Sequence, residues 1–206
     1  MIELDIKTIY YDMEHPILNN ISFVVGEGEI VALTGASGIG KSTILKMIAG
    51  LHTGYKGEIA TPKNMRIAFL SQSKCLLPWK TVYQNIVLLR KVETGLVDKR
   101  YASQLIENLG LSGYEKKYPL FLSGGQYQRA APGQAFYYLP DIILMDEPFT
   151  ALDMKRKREV QDIFMKLQKQ YNITTLFVTH NKEEAEYMGS RIINLDGKIE
   201  REEMTR

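Results

Sequence analysis

With a single cysteine, Cys75, in 206 residues, the chain cannot close an internal disulfide, so a reducing compartment such as the cytosol is expected. Long hydrophobic runs are missing as well. No apolar stretch approaches the ~18 residues needed to span a bilayer, and Met1-Ile2-Glu3-Leu4-Asp5 does not read as a secretory leader. Any membrane role is therefore expected to come through a partner. Nor is there a surplus of one charge: 26 Lys and Arg stand against 24 Asp and Glu, a net charge of +2, which predicts no strong attraction to nucleic acid or lipid head groups. Internal repeats, low-complexity tracts and flexible linkers are not evident. What remains is ordinary globular usage, 45 % apolar and 24 % charged, at a length that suits one compact α/β domain with an inserted subdomain.

The stretch that organises this domain is Gly35-Ala36-Ser37-Gly38-Ile39-Gly40-Lys41-Ser42-Thr43. It fits the phosphate-loop spacing of Gly, four residues, Gly, Lys and Ser/Thr, between an apolar strand over 29–34 and a helix that stops at Gly50. The glycines let the loop turn successive N–H groups toward phosphate oxygens, and the helix start adds its partial positive charge. Lys41 is expected to reach the β- and γ-phosphates and the Ser42 hydroxyl to ligate Mg²⁺. A nucleoside triphosphate site follows.

Around this loop the chain alternates between sheet and helix. Residues 2–10 and Ile21–Val25 read as strands of an antiparallel sheet at the N-terminal end. Strands are also expected at Glu58–Ala60, Arg66–Leu70, Ile142–Met145 and Thr174–Val178, and an amphipathic charged helix over Met154–Gln170. From about Pro78 to Ala135 the pattern turns helical, with Thr81, then Ser123, as candidate helix caps and Val97–Leu109 amphipathic. The phosphate loop, Gln72, Asp146 with Glu147, and His180 each lie just past the carboxyl end of an expected strand. In open α/β sheets ligands bind at that edge, so these distant residues are expected to converge. Asp146 has the form of a strand-end acid that holds Mg²⁺, and Glu147 the chemistry to polarise an attacking water. The basic run Lys155-Arg156-Lys157-Arg158 reads as a solvated helix face.

Leu122-Ser123-Gly124-Gly125-Gln126 adds a second anion-binding helix start. With it, the chain resembles the nucleotide-binding subunit of an ATP-binding-cassette (ABC) transporter, in order and over almost its whole length through Asp196-Gly197-Lys198. The resemblance implies an α/β P-loop NTPase fold: a RecA-like parallel core with an N-terminal antiparallel β subdomain (1–72 and 136–206), and an inserted helical subdomain over 73–135. It implies a second ATP-binding subunit, in a homodimer or pseudo-dimer, with Ser123, Gly124, Gly125 and Gln126 reaching the ATP bound by the opposite protomer. It further implies an integral membrane permease, a solute-binding protein reached through it, no nucleic acid, and a place on the inner face of the cell membrane. By the same resemblance Glu147 is the base, His180 the γ-phosphate clamp, and Gln72 a sensor of Mg²⁺ and the attacking water. Ala151-Leu152-Asp153 matches the loop that crosses the dimer interface, and Tyr11, with Tyr10 as its rival, the aromatic that stacks on adenine. Leu77-Pro78-Trp79 resembles importer ATPases of the nitrate, sulfonate and thiamine-precursor type.

The family pattern is broken after Gln126. Gln128 and Arg129 are kept, but Pro132 stands where an apolar helix residue is usual, Gly133 beside it, and Gln134 where an Arg is usual. An interior Pro costs a helix ~3 kcal/mol and a Gly up to ~1 more, which predicts a kinked or shortened helix and weakened hydrolysis. Other classes are a soluble ABC-type ATPase of DNA repair or translation, a weakly hydrolysing regulatory cassette, and a small-molecule kinase. The first commonly carries long coiled-coil insertions or tandem cassettes, which are not found here. Retained Glu147 and His180 speak against the second, and the Ser-Gly-Gly motif against the third.

Overall fold

The computed structural model describes residues 1–12, 15–71, 75–149 and 154–196, with backbone alone at 11, 12 and 15–17. Among the described residues there are two sheets. The first is antiparallel, with strands β1 (Ile2–Asp12), β2 (His15–Val25) and β4 (Tyr55–Ala60) in the order β2-β1-β4. The second is parallel and holds β3 (Ile30–Thr34), β5 (Ile67–Leu70), β6 (Ile142–Asp146), β7 (Thr174–Val178) and β8 (Arg191–Asn194), ordered β5-β6-β7-β3-β8. The strands expected from the sequence are present; β2 starts earlier than the sequence pattern suggested, and β8 was not anticipated.

Alternation along the parallel strands divides the core in two, because successive side chains point to opposite faces. Val31, Leu33, Ile142, Leu144, Leu176 and Val178 face the antiparallel sheet, with helix α1 (Lys41–Ile48) packed among them. Ala32, Ala68, Ile143, Met145 and Phe177 face the helices. Those are α2 (Val82–Ile86), α3 (Leu88–Thr94), α4 (Lys99–Asn108), α5 (Gly124–Tyr138), α6 (Met154–Tyr171) and α7 (Lys182–Met188). Both expected caps form capping boxes: Thr81 with Gln84 at α2, and Ser123 with Gln126 at α5.

Helix α5 corrects one expectation. It is not shortened at Pro132 but runs unbroken for 15 residues. Propensity is overridden by packing, since every residue from Ala130 to Tyr137 is buried. Gly133 has a packing reason of its own: a Cβ there would lie 2.6 Å from Leu109 Cδ1 and 3.3 Å from Ile86 Cδ1. Gly133→Ala is therefore expected to destabilise the fold by about 1 kcal/mol, the overpacking cost exceeding the ~1 kcal/mol gain in helix propensity. Urea unfolding reads this, and Gly133→Ala should be less harmful in a Leu109→Val background. A stabilised single variant would mean that Leu109 yields freely.

Arg191 of β8 pairs with Glu29, just before β3, and reaches across to the antiparallel sheet at Val24. Arg191 donates from Nε to Glu29 Oε1 at 2.7 Å and from Nη2 to Glu29 Oε2 at 3.0 Å, and also donates to the Val24 carbonyl. Burial raises the Glu29 carboxyl, but the Arg191 hydrogen bond, the Gly26 N–H and the Arg191 charge outweigh it and hold the carboxyl below its ordinary value. The folded chain thus binds fewer protons here than the unfolded one, so this contribution is present above the ordinary carboxylate range and is lost as pH falls through the lowered value. Glu29→Gln is expected to cost roughly 1–3 kcal/mol at neutral pH and less at an acid pH that protonates the carboxyl in both the folded and the unfolded chain. Urea unfolding at both values checks it; equal losses at the two would assign the effect to packing.

Candidate functional site

The strand order brings the site together. β6, β7 and β3 are neighbours, with Asp146 paired to Val178 and Leu33 paired to the same Val178. Their carboxyl ends therefore emerge side by side, carrying Asp146 and Glu147, His180, and the phosphate loop.

The loop adopts the backbone the glycines were expected to permit. Gly35, Gly38 and Gly40 have φ of 146°, 81° and 106°, values that L side chains rarely adopt. A Cβ on Gly38 would meet nothing within 4 Å, so it is the backbone turn and not crowding that requires glycine there. α1 starts at Lys41 with no side-chain cap, leaving its first-turn N–H groups to an anion, where the helix start favours negative charge. The Lys41 ammonium is buried and donates to the Gly35 and Ala36 carbonyls, at 2.8 Å each. The Ser42 hydroxyl donates to Asp146 Oδ1 at 2.7 Å, so the loop and the strand-end acid are in contact. Two adjacent hard oxygen donors beside an anion cradle are what Mg²⁺ shared with phosphates requires; the residues fit that ion.

Glu147 sits on the other side of Asp146. Its backbone is left-handed, φ 46°, and its N–H donates to the Val178 carbonyl at 3.1 Å. A non-glycine residue in this region costs about 1–2 kcal/mol, and Pro148 behind it disfavours the right-handed alternative. Glu147 Oε1 lies 3.1 Å from His180 Nδ1. The pair is graded in exposure, with the carboxylate side chain 22 % and the imidazole 59 % accessible, as a base facing inward and a clamp facing outward would be.

Ser123 to Gln126 form the start of α5, where the Ser123 hydroxyl accepts from the Gln126 N–H at 3.3 Å and Gln126 Oε1 accepts from the Ser123 N–H at 2.9 Å. This helix start does not join the phosphate-loop cluster of its own chain through any hydrogen bond among the described residues. Gln72 and Ala151-Leu152-Asp153 lie outside the described residues, as does the Tyr11 side chain. Tyr10, the rival, has the Lys56 ammonium 5.6 Å from its ring centroid.

Two supports were missed by sequence reasoning. Asp196 Oδ1 accepts from the Ala36 N–H at 3.0 Å, and Leu195 N donates to the Thr34 carbonyl at 3.0 Å, so the turn after β8 holds the first residues of the loop. The Tyr127 hydroxyl accepts from the Leu76 N–H at 3.0 Å, tying α5 to the segment following β5, and burial pushes its phenol up. Neither residue is marked by spacing; both act through contacts that only the sheet order creates.

Comparison with known proteins agrees with this geometry. The family model described as "ABC transporter" matches residues 18–150. The chain belongs to the ABC transporter family. It is the subunit that binds and hydrolyses ATP to energise movement of a solute through a separate membrane permease. It is 40 % identical over 179 residues to the aliphatic sulfonates import ATP-binding protein SsuB 2 of Pseudomonas syringae pv. tomato, covering 87 % of this cassette and 75 % of that protein. The Bacillus subtilis aliphatic sulfonates import ATP-binding protein is 37 % identical over 191 residues, 90 % of this chain and 74 % of the relative. Among solved structures, the dimeric post-hydrolysis state of the ATP-binding cassette MJ0796, bound to ADP and Pi, superposes with a TM-score of 0.81 at 32 % identity over 100 % of this chain and 99 % of that one. A putative metal-chelate type ABC transporter in an inward-facing conformation gives 0.80 at 26 % identity, over 94 % of this chain and 79 % of that one.

Proposed function

We propose that this ABC cassette drives an importer for a small anionic organic solute, of the kind named for its sulfonate-import relatives, from the inner face of the cell membrane. The observation that carries the hydrolytic part is the meeting of Ser42 with Asp146 and of Glu147 with His180 at one sheet edge. In this reading Lys41 and the loop N–H groups hold the phosphates, and Ser42, Asp146 and Gln72 hold Mg²⁺, which neutralises charge on the phosphate oxygens when bound. Glu147 takes a proton from the attacking water, and His180 holds the γ-phosphate while orienting that carboxylate. Tyr11 stacks on adenine. Ser123, Gly124, Gly125 and Gln126 complete the site of a second copy, with Asp153 at the interface between the two. The γ-phosphate then holds the dimer closed and hydrolysis lets it open, a two-state element that works the permease.

A docking surface for the permease fits on the helical subdomain, placed here over 73–135. A groove of about 620 Å³ between α2, α3 and α4 is lined by Tyr83, Val87, Leu88 and Val97, with Lys80 and Lys91 among its polar groups. Trp79, 69 % exposed, lies just before it. Solvent-facing apolar surface of this extent beside polar groups suits a partner segment.

The test is affinity purification from detergent-solubilised native membranes, with identification of what accompanies the cassette. A multi-spanning permease is expected, and the solute class is then read from transport assays on the assembled complex. Recovery with ribosomes or DNA-repair proteins, and no membrane protein, would overturn the importer.

A further inference from the structure

Glu184, in the first turn of α7, is a carboxylate with no place in the mechanism above, and it is buried to 6 % exposure. Its Oε2 accepts from the Thr179 hydroxyl at 3.1 Å and lies 3.7 Å from Lys157 Nζ. Lys157 is the one member of the basic run that turns inward, its side chain 15 % accessible, while Lys155, Arg156 and Arg158 are exposed; the solvated-face expectation holds for three of the four. Glu184 Oε1 and Gln161 Nε2 are both buried and have no hydrogen-bond partner among the described residues. Both residues line one cavity of about 60 Å³, along with Met154, Lys157 and Asn181.

A buried carboxylate is costly even when paired, so its position needs a reason. Burial pushes the Glu184 carboxyl up, against the Lys157 charge and the Thr179 hydrogen bond. The reason lies in the turn it grips. Thr179 Oγ1 accepts from the Asn181 N–H at 3.0 Å, and Asn181 Oδ1 accepts from the Glu184 N–H at 3.1 Å. Between Thr179 and Asn181 stands His180, 3.1 Å from Glu147. On the other side of the pair, Lys157 belongs to the first turn of α6, the helix entered directly after the 150–153 segment.

We propose that Glu184 and Lys157 are positioning residues for hydrolysis: their buried ion pair sets where His180 stands against Glu147 and links that turn to the start of α6. The inference rests on the His180 and Glu147 roles given above. A pair that merely stabilised the fold would act independently of His180; a positioning pair acts through it.

The test is a double-mutant cycle on the purified cassette, or on the permease complex if turnover needs it. Glu184→Gln keeps an acceptor for Thr179 and strands the Lys157 charge. It is expected to lower kcat about tenfold, with ADP affinity changed by less than about twofold, since ADP has no γ-phosphate for His180 to hold. In a His180→Ala background the same substitution should add almost no further loss. Glu184→Gln with Lys157→Met leaves no stranded charge, and should recover thermal stability without recovering kcat. Overturning results are full loss again in the His180→Ala background, or kcat recovering together with stability in the charge-free pair. Normal turnover of His180→Ala would refute the reading of His180 itself, and this inference with it. An impaired His180→Ala beside an unimpaired Glu184→Gln would overturn the inference alone.

Discussion

Glu147→Gln is expected to cut ATP turnover by about 10²–10⁴-fold while ATP binding persists. The amide retains the shape of the carboxylate but cannot take a proton from water. Little else should change, because the backbone that presents the side chain is held by the Glu147 N–H to Val178 carbonyl bond at 3.1 Å and by its left-handed φ of 46°. The phosphate cradle is built from other residues, Lys41, Ser42 and the glycines, so nucleotide affinity is insulated from the change. Phosphate release gives the turnover, and equilibrium titration with labelled ATP the affinity. Turnover within about threefold of the parent protein would remove Glu147 from the role of base.

The second large effect is at the other end of the nucleotide. Lys41→Ala should weaken ATP binding on the order of 10²-fold or more, as expected when one partner of a desolvated charge pair is deleted. The ammonium already sits in the cradle, 2.8 Å from the Gly35 and Ala36 carbonyls, so it meets the phosphates with little side-chain ordering left to lose. Its removal also frees those two carbonyls. The loss should therefore include a part that ADP shares with ATP, and a larger part specific to the γ-phosphate. Titrations with ATP and ADP separate the two. Equal affinities for parent and variant would mean that the loop backbone alone holds the phosphates, and the assignment of Lys41 would fall. Together the two substitutions divide the site into a binding half and a chemical half, a division the distances support: Ser42 reaches Asp146 at 2.7 Å, and Glu147 reaches His180 at 3.1 Å.

How far the site could be read in advance depended on the range of the forces involved. The phosphate loop was legible because its chemistry is local: nine consecutive residues supply the turn, the N–H groups and the ammonium. The Ser123 cap was legible for the same reason, a helix start being local; that Gln126, three residues on, closes a capping box with it is what the structure adds. The shortening expected at Pro132 and Gly133 does not occur because helix propensity is also local, yet the helix they occupy is held by its neighbours. Gly133 leaves room for the Leu109 and Ile86 side chains, a contact that propensity cannot contain. Lys157 was misassigned to the solvated face because a run of four like charges shows no sign of which one turns inward. Its partner Glu184 lies on a different helix, and only packing brings them together.

The sequence by itself determined the nucleotide chemistry, the two kinds of sheet, and the order of the motifs along the chain, because each is encoded by spacing and alternation within a few residues. The tertiary structure decided which of those motifs touch. Ser42 and Asp146 are 104 residues apart, and Glu147 and His180 33 apart. Their contacts exist because β6, β7 and β3 pair side by side with their carboxyl ends aligned. Strand order is chosen by how whole faces bury against α1 and the antiparallel sheet on one side and against the helices on the other. That choice belongs to the packed core as a unit and is written in no single stretch of the chain.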